Sequence, residues 1–460
     1  MNSEFAKKSL SECIELIIDC RGKTPKKLGG DWSKQGYRAL SAKNVKTSGL
    51  VQESTIRRID KKLYRKWMKE EVNRGDILLT SEAPLGQVML WNSDEKIVLS
   101  QRLFAIRSNQ YLDSAYLYYY MTSEKYQHEL ESRSTGTTVL GIKQTQLVQT
   151  VIKYPNILNQ QKIAHILSTL DDKIELNRKM NQSLENMAQA LFKSWFVDFD
   201  PVHAKENASS DADYEEIAKE LGISLEVLDL FPDEFEESEL GLIPKGWEVN
   251  KFNDIASVRK GLSYKGKHKT QNKDYPPMFN LGNFDRSGQY RAEKIAYYDG
   301  EYKERHLIRG GQLMMANTDM TQDRVILGLP IIVPELVDTD MIFTHHVFAI
   351  DFKSIELEST FKYYIFYTFI NPKFREVAEG YATGTTVLAL PKEGVMNFNL
   401  LLASKGLIDE FNKVLHSLIS KMNSNRLQVE TLQKTRDTLL PKLLSGELDV
   451  SELELDHVTH

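Results

Sequence analysis

The sequence predicts a mixed α/β (α+β) fold in which two similar domains are joined by two long helices. The phrase Ser-Thr-Gly-Thr-Thr-Val-Leu-Gly-Ile at 134–142 returns as Ala-Thr-Gly-Thr-Thr-Val-Leu-Ala-Leu at 382–390. Each copy runs into a stretch with apolar residues at heptad spacing, which is typical of a coiled coil. We therefore expect a pseudo-two-fold internal repeat whose long helices pair antiparallel. Duplex DNA, itself two-fold symmetric, is the obvious partner for such a chain.

Size and composition restrict the class of protein. The 460 residues can form two to four domains, and 41% hydrophobic with 27% charged residues is ordinary for a globular protein. Only Cys13 and Cys20 occur, which argues against a disulfide framework and a cysteine-based zinc site. No apolar run approaches the roughly 20 residues that span a bilayer, and the first residues lack the apolar segment of a secretory signal. We expect a cytoplasmic protein with no membrane contact.

The net charge of −5 hides a strong asymmetry along the chain. Residues 211–240 hold twelve acidic side chains and one lysine, so the rest of the chain carries +6. Residues 20–74 hold sixteen lysines and arginines against five acids, interleaved with aromatic side chains. Although a charge run is often only a solvated face, basic residues among aromatics favour phosphate binding. The charge pattern thus points to DNA.

The heptad pattern predicts helices over 159–197 and about 405–444. If the helices pair antiparallel with their ends in register, Asn181 faces Asn425, and two buried amides fix the register. A bundle helix and a homodimer zipper are the alternative interpretations. The residues predicted for helix pairing are Ile163, Leu167, Leu170, Ile174, Asn181, Leu184, Leu191, Phe411, Leu415, Leu418, Met422, Asn425, Leu432 and Leu439.

Two stretches invite a catalytic interpretation, and each fails. Arg21-Gly22-Lys23-Thr24 ends like a phosphate-binding loop, but Ile17 stands where that motif needs its first glycine. Asn371-Pro372-Lys373-Phe374 lacks the second proline of a methyltransferase loop, and no glycine-rich dinucleotide fingerprint is present. No carboxylate pair or metal-ligand cluster stands out. We therefore expect a chain that is not an enzyme and holds no metal.

His345-His346 matches Gln101-Arg102 of the first copy. Adjacent residues on a strand point to opposite faces, so we expect no shared metal ion there. Since glutamine and arginine pair with adenine and guanine edges, the site suggests an adjustable base reader; plain polar strand positions are the alternative. The two Gly-Thr-Thr turns offer N–H groups and hydroxyls to DNA, although they also suit strand entry.

These features together resemble the specificity subunit of type I restriction–modification enzymes. The resemblance rests on the two Gly-Thr-Thr phrases, the stretch from Gln160 to Phe196, Leu242-Ile243-Pro244-Lys245-Gly246-Trp247, and Leu439 to Gly446. It divides the chain into target-recognition domain 1 (1–158), a central helix (159–200), an acidic linker or insertion (201–241), target-recognition domain 2 (242–404), a distal helix (405–447) and a tail (448–460).

The resemblance implies that each recognition domain reads one half of a bipartite, gapped DNA site, while the helices act as spacer. It also implies two methyltransferase subunits and restriction/translocase subunits as partners. S-adenosylmethionine, ATP and Mg are expected on those partners, with no cofactor in this chain. The alternatives are an autonomous DNA-binding protein that dimerises through its long helices, and a single-chain methyltransferase.

We predict DNA contacts at matching positions of the two halves. The first domain would use Arg21, Lys23, Lys43, Asn44, Gln101, Arg102, Gly136, Thr137 and Thr138. The second would use Lys260, Tyr264, Lys265, Asn280, Asn283, His345, His346, Gly384, Thr385 and Thr386.

Overall fold

The computed structural model describes residues 5–206, 208, 210–285, 290–320, 325–335, 339–384 and 387–454. The chain divides into two units: the first comprises residues 1–180 and 423–460, and the second comprises residues 181–422. The long helices α6 (Ile157–Phe196) and α14 (Lys405–Ser445) each contribute residues to both units. They begin and end within two residues of the bounds that the heptad pattern predicts.

The first unit contains eleven strands and five helices besides α6 and α14 in its described part. The helices are α1 (Leu10–Cys13), α2 (Lys61–Trp67), α3 (Ser114–Thr122), α4 (Glu124–Ser132) and α5 (Gln144–Leu147), with 3-10 turns at Lys26–Leu28 and Glu53–Thr55. The strands are β1 (Ala6–Ser9), β2 (Ile14–Asp19), β3 (Tyr37–Leu40), β4 (Val45–Lys46), β5 (Gly49–Leu50), β6 (Arg57–Ile59), β7 (Ile77–Thr80), β8 (Val88–Leu90), β9 (Val98–Leu99), β10 (Leu103–Ser108) and β11 (Val151–Tyr154).

Besides its parts of α6 and α14, the second unit contains the acidic segment and then elements that repeat those of the first unit. Its helices are α7 (Asp200–Lys205), α8 (Asp211–Leu221), α9 (Leu225–Leu228), α10 (Phe252–Ile255), α11 (Ile355–Ile370), α12 (Pro372–Tyr381) and α13 (Lys392–Met396), with 3-10 turns at Gly266–His268, Leu281–Asn283, Ala292–Lys294 and Glu304–His306. Its strands are β12 (Phe235–Ser238), β13 (Gly241–Pro244), β14 (Glu248–Lys251), β15 (Ala256–Lys260), β16 (Lys269–Thr270), β17 (Pro277–Phe279), β18 (Ala296–Tyr298), β19 (Leu307–Ile308), β20 (Leu313–Ala316), β21 (Thr318–Asp319), β22 (Pro330–Ile332), β23 (Met341–Phe343), β24 (Val347–Phe352), β25 (Leu388–Ala389) and β26 (Asn399–Leu402).

Sheet topology establishes the internal repeat. A four-stranded sheet has the order β2-β10-β7-β8 in the first unit and β15-β24-β20-β22 in the second. A parallel pair recurs as β3 with β9 and as β17 with β23, and the pair β1 with β11 recurs as β14 with β26. The same order of elements with different loop lengths confirms the predicted mixed α/β fold and its duplication.

The long helices run antiparallel within each unit. In the first, Arg436 Nη1 lies 2.7 Å from Asp171 Oδ1, and Asn177 Nδ2 donates to Gln428 Oε1 at 3.2 Å. In the second, Asn181 Nδ2 donates to the Met422 carbonyl at 3.2 Å. All the residues predicted for helix pairing are buried or half-buried. The predicted pairing of Asn181 with Asn425 joins residues of different units and stays a prediction.

The acidic segment is folded where the structure describes it. Its helices α7 to α9 and the antiparallel hairpin β12-β13 come before β14, the first strand of this unit that repeats an element of the first unit. Phe231 is buried with its ring 5.3 Å from that of Trp195, and the buried Lys205 Nζ donates to the Leu228 carbonyl at 3.3 Å. Burial of an aromatic ring in the core of the second unit anchors the segment there. Among the described residues, no helix is long and apolar enough to cross a membrane.

Candidate nucleic-acid interface

The turn that carries Gln101 and Arg102 leads into β10, the second strand of the four-stranded sheet. Both side chains are exposed, and Arg102 adopts the left-handed conformation at φ 64°. The Arg102 carbonyl accepts from the Ser81 amide at 2.9 Å, and its guanidinium Nε lies 2.9 Å from Glu82 Oε1. Backbone hydrogen bonds thus fix the turn, and the Arg102 guanidinium forms an ion pair with Glu82.

The corresponding turn of the second unit carries His345 and His346. The His346 carbonyl accepts from the Asn317 amide at 3.1 Å, which matches the Arg102 bond to Ser81. The two imidazole rings lie 3.8 Å apart, and His346 Nδ1 is 3.0 Å from Thr318 Oγ1. Burial lowers the pKa of His346, and the charges of His345 and Lys260 lower it further.

The prediction that these two histidines point to opposite faces of a strand is wrong. It assumed a strand, in which neighbouring side chains point to opposite faces, whereas both residues lie in the turn before β24. A turn lets both rings face each other. Among the described residues, no group of three or more histidine, cysteine, aspartate and glutamate side chains is arranged to hold a metal.

The Gly-Thr-Thr phrase forms the same closed loop wherever both copies are described. Thr135 pairs with Gly141 in the first unit, and Thr383 pairs with Ala389 in the second. Gly136 and Gly384 have φ values of 120° and 108°, and an added Cβ would lie 2.1 Å from the Val139 oxygen and 2.2 Å from the Val387 oxygen. Only glycine fits this closure.

The loop also presents its tip to solvent in the first unit. Gly136, Thr137 and Thr138 are exposed there, whereas Thr385 and Thr386 lie outside the described residues. The Ile142 amide donates to the Ser81 carbonyl at 2.9 Å, and the Leu390 amide donates to the Asn317 carbonyl at 2.8 Å. Ser81 and Asn317 thus connect each loop to the neighbouring Gln101-Arg102 or His345-His346 turn.

Two of the predicted DNA contacts are structural residues. Asn44 is 1% exposed and accepts from the Ser41 amide at 3.2 Å, and Asn283 is 0% exposed and accepts from the Asn280 amide at 2.8 Å. Each caps the turn after equivalent strands, β3 and β17. We therefore withdraw Asn44 and Asn283 as direct contacts, because a buried, hydrogen-bonded amide is not available to a base.

Several other predicted contacts have competing partners inside the protein. Arg21 forms an ion pair with Asp19 at 2.7 Å and lies 4.0 Å over the Phe104 ring. Burial acts to raise the pKa of the Asp19 carboxyl, but its bonds to Arg21 prevail and the pKa is lowered. Lys23 Nζ donates to the Trp67 carbonyl at 2.5 Å. These two cations support the fold as well as the local positive charge.

The remaining candidates lie on the surface or near it. Lys43, Lys260 and Lys265 are exposed. Tyr264 is half-buried, and its ring lies 6.1 Å from that of His345. The side-chain Nδ2 of Asn280 donates to the Met278 and Lys294 carbonyls at 3.2 Å. The second unit therefore gathers Tyr264, His345 and His346, with Lys260 close enough to act on His346.

The sequence did not single out Arg57, which lies beside the Gln101-Arg102 turn. Its guanidinium carbon is 4.0 Å from the centroid of the Trp32 ring. Hollows of about 420 and 250 Å³ adjoin it, and both are lined by Trp32, Arg57, Ser100 and Gln101. The one available signal was the mixture of basic and aromatic residues over 20–74.

Comparison with known proteins agrees with this geometry. Residues 2–186 match the family model of the type I restriction modification DNA specificity domain. The type I restriction enzyme MjaIX specificity subunit of Methanocaldococcus jannaschii is 28% identical over 387 residues, which cover 83% of this chain and 79% of that protein. The HindI specificity subunit of Haemophilus influenzae is 26% identical over 418 residues, covering 83% and 88%.

A solved structure supports the fold. The S subunit of a type I restriction-modification system from M. genitalium superposes with a TM-score of 0.52 at 15% identity, covering 96% of both chains. At this identity the likeness concerns the fold alone. Residues 2–186 therefore belong to the type I restriction modification DNA specificity domain family, and the chain as a whole is a relative of type I restriction enzyme specificity subunits.

Proposed function

We propose that this chain is the DNA specificity subunit of a type I restriction–modification complex, with each unit reading one half of a bipartite, gapped site. The supporting observation is that the same pair of surface loops, a Gly-Thr-Thr loop and the turn beside it, occurs in both units. Equivalent backbone bonds hold a Gly-Thr-Thr loop beside Gln101-Arg102 in one unit and beside His345-His346 in the other. A constant backbone with different side chains is what two half-sites of different sequence require.

The long helices would serve as spacer and as docking platform. A helix of 40 residues is about 60 Å long, which exceeds one duplex turn of about 34 Å. Half-sites read at the two units would therefore be separated by unread base pairs. Two methyltransferase subunits and restriction/translocase subunits are the proposed partners, and S-adenosylmethionine, ATP and Mg would bind to them. The chain itself would act in the cytoplasm without catalysing a reaction.

Methylation mapping of the host genome, with and without this gene, tests the proposal. We expect a bipartite, gapped motif to lose its methylation when the gene is deleted and to regain it when the gene is returned. Expression of the chain is verified by immunoblot in the strain that carries it. Unchanged methylation on deletion of an expressed gene would refute the proposal.

A binding measurement separates the proposal from the autonomous alternative. The chain is purified once alone and once through an affinity tag with the subunits that accompany it. A specificity subunit should bind its motif tightly only in the accompanied form. Tight, motif-specific binding by a homodimer of the chain alone would favour an autonomous DNA-binding protein.

A further inference from the structure

We propose that Arg57, held flat against Trp32, reads a guanine in the half-site bound by the first unit. This inference rests on the proposed function and assigns one residue of its reading surface. Arg57 begins β6 and is exposed, with its guanidinium carbon 4.0 Å from the Trp32 ring centroid. Arginine pairs with guanine through two N–H donors that bind O6 and N7 in the major groove.

The support for Arg57 extends into the protein core. Trp32 lies with its ring 6.3 Å from that of Trp67, which is fully buried and donates from Nε1 to the Leu99 carbonyl at 3.0 Å. The Ser33 amide donates to the Arg58 carbonyl at 2.8 Å, which ties the Trp32 segment to β6. The ring is thus a fixed platform, and stacking on it limits the orientations of the guanidinium.

Arg57 differs from the other arginines of the first recognition domain in the partners of its guanidinium group. Six of them form ion pairs with carboxylates, and Arg58 donates to the Gly36 carbonyl at 2.8 Å. Arg65, on α2, is exposed and has no ring beneath it. Among the described residues, Arg57 alone combines a stacked guanidinium with donors that no protein group occupies.

The surroundings of Arg57 suit a base edge. Gln101 and Ser100 line both adjoining hollows, Lys43 and Arg102 line the smaller one, and Lys23 and Lys26 line the larger. One carboxylate is present, that of Asp31, and its Oδ1 accepts from the Trp32 amide at 2.8 Å. Neighbouring lysines supply charge for phosphates, which leaves the planar fork of Arg57 for base pairing.

The test replaces Arg57 with lysine, which keeps the charge and removes the planar fork. The tagged full chain is isolated with its accompanying subunits, and competition binding is measured on duplexes that carry the wild-type motif with each base pair substituted in turn. We expect Arg57→Lys to lose roughly 5- to 150-fold discrimination at one G·C pair of one half-site. Discrimination elsewhere and the salt dependence should remain, because the charge remains.

Two further variants make the result specific. Arg65→Lys is the matched control and should change nothing, because Arg65 has neither the ring nor the hollows. Trp32→Leu keeps Arg57 but removes its platform, and should weaken discrimination at the same base pair by a smaller factor. The melting temperature of each variant shows that it is folded.

The outcomes separate this inference from the proposed function. A wild-type complex with no motif preference would refute the proposed function itself. A wild-type complex with a clear motif, together with Arg57→Lys discrimination that is unchanged or weakened equally at every position, would overturn only the role of Arg57.

Discussion

The turn before β10 in the first unit and the turn before β24 in the second lie at the same place in the repeat. In the first unit the Ser100 amide donates to the Leu40 carbonyl at 2.7 Å, and in the second the Thr344 amide donates to the Phe279 carbonyl at 3.1 Å. The residues that follow are Gln101-Arg102 in one unit and His345-His346 in the other. The backbone is therefore kept while the donor chemistry changes from a permanent cation to titratable rings.

The comparison shows how a duplicated scaffold supports two different reading surfaces. The first unit adds Arg57 on Trp32 next to its turn, while the second has Tyr264 and Lys260 near its histidines. Residues that hold the backbone recur, as Asn44 and Asn283 do. Residues that face outward differ, which is expected if each unit reads its own sequence.

The largest expected effect concerns an ion pair that each unit places beside its four-stranded sheet. In the first unit, Asp76 is almost fully buried and both of its oxygens accept from Arg107 at 2.9 Å. In the second, Asp351 binds Arg259 with about a third of each side chain exposed. We expect Asp76→Ala to cost about 3 kcal/mol of unfolding free energy and Asp351→Ala about 1 kcal/mol or less.

Denaturant unfolding of the full chain measures both variants. The two losses of unfolding free energy should differ because the two pairs differ in burial. Removing Asp76 leaves the Arg107 guanidinium without its counter-charge at a position that water reaches poorly. Equal losses for the two variants would contradict this account of the sheets.

The glycines of the two Gly-Thr-Thr loops should respond alike. Gly136→Ala and Gly384→Ala each place a Cβ against a backbone oxygen, so we expect about 2–3 kcal/mol of destabilisation from strain and loop opening. Gly49 and Gly241 also have positive φ but open space around them. Alanine at these control positions should cost only about 1 kcal/mol in the same unfolding measurement. A control as costly as its loop variant would rule out the close approach as the cause.

Arg102→Ala should relax sequence preference in one half-site only. We expect about a fivefold loss of discrimination, at the lower end of the range for Arg57→Lys, because the Arg102 guanidinium already forms an ion pair with Glu82. Competition binding on substituted duplexes measures it, with Arg74→Ala as control, since Arg74 is also an exposed arginine paired with a carboxylate, that of Asp94. A uniform loss at both half-sites would mean that Arg102 binds phosphate or only supports the fold.

The smallest expected effect is a pH dependence confined to the second unit. Because the pKa of His346 is lowered in the folded chain, protonation favours unfolding. The stability that His346 contributes is complete above about pH 6.5, its unfolded pKa, and declines as the pH falls toward the folded pKa. The melting-temperature difference between wild type and His346→Gln should therefore shift as the pH is lowered from 8 to 5.5. Arg102→Gln, at the matching position, should show no such shift, and a shift of equal size there would contradict the assignment to His346.

The repeat and the long helices could be predicted because each has a recurring pattern in the sequence. A phrase that returns after 248 residues and an apolar residue every third or fourth position need no knowledge of tertiary contacts. The mixed fold class and the resemblance to specificity subunits, which rest on these patterns, are confirmed.

The contact residues were harder to predict because side-chain environment decides them. Asn44 and Asn283 have the polarity of a base contact, yet each closes a turn that the sequence does not reveal. The sequence predicts a strand at the histidine pair because the pattern of apolar residues does not fix the end of β23 to one residue. Arg57 and Trp32 are 25 positions apart, and only the fold brings them into contact.

Methylation mapping of strains with variants in each unit tests the central claim most directly, namely that the units read separate halves of one site. The strains carry the wild-type gene, Arg57→Lys, or the double variant His345→Ala with His346→Ala. We predict that the two variants change base preference in different, non-overlapping halves of one gapped motif. Changes in the same half, or an equal loss across the whole motif in both strains, would contradict the account.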